Sequence, residues 1–321
     1  MGVFVFLPLV LPLTALPIAR LAEQHLHPRV TTRLLTLLSV VLGLCSTLCL
    51  ALLMVVGTAQ LPGNPLPDSW SVPEVRAAVP HDEVTGTAAI VALTAALTVS
   101  GATLRRHRRI RTRTHRALDG LPADADPAVL PDDDPYAYAV PGAPGRPGRP
   151  ARPGRIAVSR GMLRSLDADE HQALFAHERA HLSHRHHRYL LAVRLAGCVN
   201  PLLLPMRSAV AFSTERWADE EAARFVGDRR LTARAVGKAA LIARPSPQPE
   251  LAHFAAPEPG PVPRRVAALL APVPPARSWP PALTPAGLAA LVAAAGTAAS
   301  ALSSLNAAVA LFLVLKAATP L

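Results

Sequence analysis

Leu166-Asp167-Ala168-Asp169-Glu170-His171-Gln172-Ala173-Leu174-Phe175-Ala176-His177-Glu178-Arg179-Ala180-His181 is the stretch whose reading organises the rest of this chain. Asp167 followed three residues later by Glu170 is a capping-box pattern, so a helix is predicted to begin just after Asp167. Leu166, Leu174 and the small Ala173 and Ala176 give that helix an apolar face. At 3.6 residues per turn His177 and His181 lie about 40° apart around the axis, so two imidazoles share one face, and Glu178 sits about 100° from His177. H-E-x-x-H on a helix is a zinc-chelating pair with a carboxylate beside it. Glu178 therefore flanks a metal instead of ligating it, and is the candidate general base.

Two imidazoles leave a catalytic zinc one protein ligand short, because such sites take three and keep a fourth position for water. His187, ten residues beyond His177, would complete a longer histidine pattern if position 184 were glycine, but it is His184. Without a glycine to turn the chain, the helix is expected to continue and His187 to point about 80° away from His177. His171, His186 and His187 then read as solvated helix positions. The better source is Ser213-Thr214-Glu215-Arg216-Trp217-Ala218-Asp219-Glu220-Glu221, where Glu215 and Asp219 are four apart. Glu215 is the candidate third ligand, with Asp219 accepting a hydrogen bond from the far nitrogen of a ligating histidine. The competing reading is a solvated acidic face paired with Arg216 and Arg224, which suits Glu220 and Glu221.

The surrounding chain is apolar, with 50% hydrophobic and only 4% aromatic residues among 321 and a mean hydropathy of +0.28. The apolar residues come in blocks. Gly2 to Ile18 is free of charge, though interrupted by Pro8, Pro12 and Pro17, and neither a basic start nor a small-residue cleavage site marks it as a signal peptide. Leu34 to Ala59 and Val84 to Leu104 are each long enough to cross about 30 Å of hydrocarbon as a helix, and Ala286 to Leu315 spans with a tilt. Arg20, Arg29 and Arg33 follow the first run, and Arg105, Arg106, Arg108, Arg109, Arg111, Arg113 and Arg116 follow the third, so those segments are expected in the cytoplasm. The acidic loop from Gln60 to Glu83 and both termini then lie outside. The expected fold is a mainly α membrane protein with about four transmembrane helices, at about 2–18, 34–59, 84–104 and 286–315. Residues 1–104 form an N-terminal membrane region, 105–285 a cytoplasmic α+β zincin-type domain, and 286–321 the last transmembrane helix.

HERAH at 177–181 with ERWAD at 215–219 resembles the integral-membrane gluzincin peptidases, which carry HExxH on one helix and E-x-x-x-D on a second. The likeness covers residues 134–270. With the span pattern it looks like the BlaR/MecR-type antirepressor metallopeptidases, in which a cytoplasmic zinc protease sits between the third and fourth membrane helices. It implies that His177, His181 and Glu215 hold one zinc per chain. Glu178 would take a proton from the zinc-bound water and return it to the leaving amine, and His184, on the face of His177, is a candidate oxyanion donor. It also implies that one of the strands expected at Tyr136–Val140 and Arg155–Ser159 holds substrate at its edge, and that the substrate is a cytoplasmic protein such as a winged-helix repressor. No S-x-x-K or K-T-G signature accompanies the motifs and the chain ends at Leu321, so a penicillin-binding sensor domain is not expected. The same two motifs resemble HtpX-like quality-control proteases of the plasma membrane. A non-catalytic membrane sensor with a structural zinc is the alternative of a different class, and would need a fourth protein ligand.

The net charge of +11 suggests nucleic acid as a partner, but the densest basic run abuts a span, where it sets topology and meets lipid headgroups. No direct nucleic-acid contact is expected. Cys45, Cys49 and Cys198 have no disulfide or metal spacing and read as small buried hydrophobes. Pro141 to Gly154 is a proline-glycine insertion between the two strands. The apolar stretch Tyr189 to Phe212, which contains Arg194, Asn200, Pro201, Pro205 and Arg207, reads as a membrane-surface or re-entrant segment.

Overall fold

Proline decides the form of the first element. The computed structural model describes residues 5–64, 66–71, 73–76, 82–122, 126–145, 151–244, 262–274 and 281–319. The beginning of the first apolar run and residues 146–150 of the proline-glycine loop lie outside these. Gly2 to Ile18 does not form one helix: a helical turn at Leu7–Val10 passes into a 3-10 turn at Leu11–Thr14 and then into helix α1, Ala15–His25. Pro12 has no N–H to give to the Pro8 carbonyl, so the ladder breaks there. Ser46 Oγ donates to the freed Pro8 carbonyl at 2.9 Å, and Asn200 Nδ2 donates to the Leu9 carbonyl at 3.0 Å. The broken segment still runs beside helix α2, Pro28–Ala59, from Val5 against Leu53 and Val56 to the Ala22 carbonyl, which accepts from Thr31 Oγ1.

Helix α3, Asp82–Ala117, crosses α2 at a pair of glycines. A Cβ on Gly57 would stand 2.5 Å from the Gly86 Cα, so only hydrogen at both positions allows the contact. Among the described residues three helices are long and apolar enough to cross a membrane: α2, α3, and a last helix at Pro285–Ala318.

Between them lies a small mixed sheet. Strand β1, Ala128–Leu130, runs parallel to β3, Arg155–Ser159, and β2, Ala137–Val140, pairs antiparallel on the other side of β3. The order β1-β3-β2 leaves β2 at an edge. The sequence predicts β2 and β3 but not the three-residue β1. The Pro141–Gly154 insertion joins β2 to β3, closed by a bridge between Ala143 and Arg152. Ser159 ends β3 and caps α4, Arg160–Ser165, by accepting from Met162 N.

Helix α5, Ala168–Ser183, starts at the expected capping box, with Asp167 accepting from Glu170 N at 2.8 Å and Glu170 accepting from Asp167 N at 3.0 Å. It does not continue through His187. Arg185 takes a left-handed backbone at φ 55°, and a new helix, α6, His186–Val199, sets off from it. Ring packing holds this strained residue on both sides, His184 stacking on Trp217 at 4.5 Å and His186 lying 4.7 Å from the same ring. Helix α7, Leu204–Val226, returns antiparallel to α6, so Tyr189 to Phe212 forms a helical hairpin. Val193, Ala196, Leu203, Met206 and Val210 bury this hairpin against Leu35, Leu38 and Leu42 of α2. At its tip Asn200 Nδ2 donates to Ser46 Oγ at 3.0 Å. Helices α8, Arg229–Ile242, α9, Val262–Leu270, and α10, Pro285–Ala318, complete the order.

Candidate metal centre

Helices α5 and α7 pack side by side and bring His177, His181 and Glu215 into one group whose ligand atoms all lie within 4.8 Å of one another. His177 Nε2 is 3.1 Å from His181 Nε2, and each is 3.5 Å from a Glu215 carboxylate oxygen. Ligands held tetrahedrally at zinc bond lengths of about 2.0–2.1 Å stand about 3.3 Å apart, so the triangle has the size of a zinc site. The donor chemistry fits as well. One nitrogen of each ring and the Glu215 carboxylate face a common point, while the other ring nitrogens are directed elsewhere.

Those other nitrogens have different partners. His177 Nδ1 lies 3.1 Å from Asp219 Oδ1, close but off the ring N–H direction. His181 Nδ1 is 2.9 Å from His186 Nδ1. His186 is only 1% exposed, which corrects its expected place as a solvated residue. The break at Arg185 turns it inward behind His181. Glu220 is likewise buried and paired with Arg216 at 3.0 Å and Arg229 at 2.5 Å, so the acidic face of α7 is only partly solvated.

A further residue joins from α9. Arg265 is buried, donates to Asp219 at 2.6 and 2.8 Å and lies 2.9 Å from Glu215. Burial would raise both carboxyls, but the Arg265 charge outweighs it, lowering Asp219 to about 2 and holding Glu215 well below the usual carboxylate range. Burial would lower His177, yet Asp219 and Glu215 together raise it to about 10. His181 is lowered to about 4 by burial; Glu215 opposes the shift and the His177 charge adds to it. Arg265 was not foreseen, although Val262, Arg265, Val266 and Leu269 share one helical face and an arginine on an apolar face signals a buried partner.

Glu178 faces an apolar cleft of about 220 Å³, lined also by Tyr136, Tyr138, Met162, Val236, Ala239 and Arg265. Burial raises its carboxyl to about 7; His177 opposes the shift, Glu215 adds to it, and the Ala139 backbone N–H and Arg265 oppose it. The Ala139 contact sets edge strand β2 directly against Glu178. His184 is not among the residues that line the cleft. It closes α5, stacked on Trp217 with Nε2 3.5 Å from Glu221.

The model of peptidase family M48 matches residues 104–214, a stretch that includes His177, Glu178 and His181 and stops one residue before Glu215. A protein named protease HtpX homolog, from Thermoplasma acidophilum, is 44% identical over 62 residues. That match spans 19% of this chain and 19% of the relative, so only about a fifth of the relative's length is covered. No solved structure matches. The family match, the relative and the apolar helices support a membrane-type zinc metallopeptidase.

Proposed function

We propose that this chain is a membrane-embedded zinc-dependent endopeptidase that cuts a protein substrate entering the cleft beside edge strand β2. The observation that carries this reading is the zinc-sized triangle of His177, His181 and Glu215 with Glu178 directed into an adjoining cleft. Three ligand side chains, and no fourth among the described residues of that group, suit an open catalytic site better than a closed structural one. Zinc held there would lower the pKa of a bound water and polarise a carbonyl. Glu178 accepts a proton and returns it to the leaving amine, a task suited to a carboxyl raised to about 7. Asp219 orients His177, His186 orients His181, and Arg265 keeps Glu215 and Asp219 ionised. Substrate backbone lies along the outer edge of β2, beside Glu178, and the apolar cleft takes a side chain.

In this reading the chain crosses the plasma membrane four times, the broken N-terminal segment being the first crossing, with both termini outside and residues 105–285 in the cytoplasm, in keeping with the arginines after 104. An HtpX-like quality-control protease is preferred to an antirepressor dedicated to one winged-helix protein, in keeping with the name of the relative matched over a fifth of its length.

The test uses the full chain in detergent, with zinc content and casein cleavage scored separately. Glu178→Gln should keep one zinc and lose cleavage, whereas His177→Ala should lose both. Cleavage by Glu178→Gln at the wild-type rate would overturn the mechanism.

A further inference from the structure

The uncharged stretch of α3 ends at Leu104, and Arg105 and Arg106 mark the level where that span meets water. Thr103 Oγ1 lies 3.9 Å from Cys198 Sγ, so the last turn of α6 stands beside that boundary. The hairpin tip goes deeper. Asn200 bonds Ser46, and thirteen residues separate Ser46 from the far end of α2 at Ala59, about 20 Å of helix within a hydrocarbon layer of about 30 Å. The tip is made for that depth: Leu195 to Met206 carries no charge, and Pro201, Leu204 and Pro205 are exposed.

An arginine flanks the tip on each leg, Arg194 on α6 and Arg207 on α7, and the side chain of Arg207 passes close to Gly197. Arg106 and Arg207 lie near enough for their charges to act on Arg194. Arg106 lies one turn beyond Thr103 on α3 and Arg194 one turn before Cys198 on α6, on the same side of the Thr103–Cys198 contact, while Arg207 of α7 reaches Gly197, so three helices carry an arginine to the same level; none of the three takes part in the ion pairs among the described residues. Like charges left together at a membrane surface call for an anion, and the planar guanidinium fork matches phosphate oxygens two at a time.

We propose that Arg106, Arg194 and Arg207 form a binding site for the headgroup phosphate of an anionic phospholipid, in the leaflet nearer the metal centre, which seats the α6–α7 hairpin in the bilayer. The lipid's acyl chains lie against the exposed Leu204 and the prolines of the tip. The site is independent of the peptidase reading and stands or falls on lipid binding alone.

The experiment titrates phosphatidylglycerol onto the delipidated full chain in detergent, followed by native mass spectrometry, for wild type, Arg106→Gln/Arg194→Gln/Arg207→Gln, and Arg108→Gln/Arg109→Gln/Arg116→Gln. The second variant removes equal charge from α3 alone. Affinity should fall on the order of a hundredfold in the first variant, which loses three arginines at about fivefold each, and much less in the second, because the headgroup is held at the site and not by charge spread along α3. Phosphatidylcholine should bind the wild type no better than the first variant, and millimolar inorganic phosphate should not displace phosphatidylglycerol. Equal losses in both variants would reveal diffuse attraction and overturn the site, as would unchanged binding or displacement by free phosphate. Should the triple variant not fold, judged by zinc content and circular dichroism, Arg194→Gln alone must lower affinity severalfold against Arg108→Gln, and no difference between them would refute the proposal.

Discussion

Arg265→Met tests how the metal centre is held together. Arg265 makes contacts of 2.6, 2.8 and 2.9 Å to two carboxylates in a region closed to water, and Asp219 has no exposure. Zinc compensates Glu215 in the loaded protein, so the loss falls mainly on Asp219, left ionised and buried with only His177 beside it. Removing one partner of such a pair costs about 3–5 kcal/mol. For a chain of this size that lowers the melting temperature by roughly 10 °C. The partner test is Arg265→Met with Asp219→Asn, which removes the orphaned charge and should recover at least about 2 kcal/mol as coupling between the sites. Zinc affinity should not recover with it, because Asn cannot give His177 a carboxylate, and a lost outer partner costs about 10–100-fold in metal binding. The measurements are thermal melting of the zinc-loaded protein in detergent and chelator competition for zinc. A single variant melting within about 2 °C of wild type, or a double variant less stable than the single, would show that Arg265 is not the counter-charge of a buried carboxylate pair.

Other outcomes follow from the same geometry. His186→Leu should weaken zinc binding by about 10-fold or more through loss of the His181 Nδ1 contact, while His187→Leu should leave it unchanged; chelator competition reads both. Burial raises the Glu178 carboxyl from 4.5 to about 7, and a cation in the triangle lowers it again. A base must be deprotonated, so kcat/KM should rise with pH through a step between those values, and an acid limb centred above pH 7 would contradict the assignment of Glu178. Asn200→Leu leaves the Leu9 carbonyl without a side-chain donor and should destabilise the chain by about 1–3 kcal/mol, measured by melting in detergent. Gly57→Leu drives a side chain into the Gly86 backbone and should cost at least about 1–3 kcal/mol, whereas Gly63→Ala, in open space, should be limited to the strain of its positive φ.

Spacing along one helix made much of the centre legible in advance. The capping box, the two imidazoles on one face and the carboxylate beside them are local consequences of a 3.6-residue turn, and the same period put Glu215 and Asp219 on one face of a second helix. The hydropathy blocks likewise located the three long apolar helices, because spanning length depends only on consecutive residues. The break at Arg185 escaped this reasoning, since it opposes the backbone preference of its own residue and is held by the ring of Trp217, thirty-two positions away. His186 was consequently given to solvent and His184 to the cleft.

By itself, then, the sequence determined the apolar segments, the helix carrying HERAH and the acidic pair four apart. Only the tertiary structure decided which atoms share a point in space: Arg265 between Asp219 and Glu215, His186 behind His181, and Ser46 and Asn200 on the carbonyls freed by proline. Helical period and hydropathy are properties of neighbours along the chain, whereas a buried charge or a broken backbone hydrogen bond is satisfied by whatever the fold brings near it, from any distance in sequence.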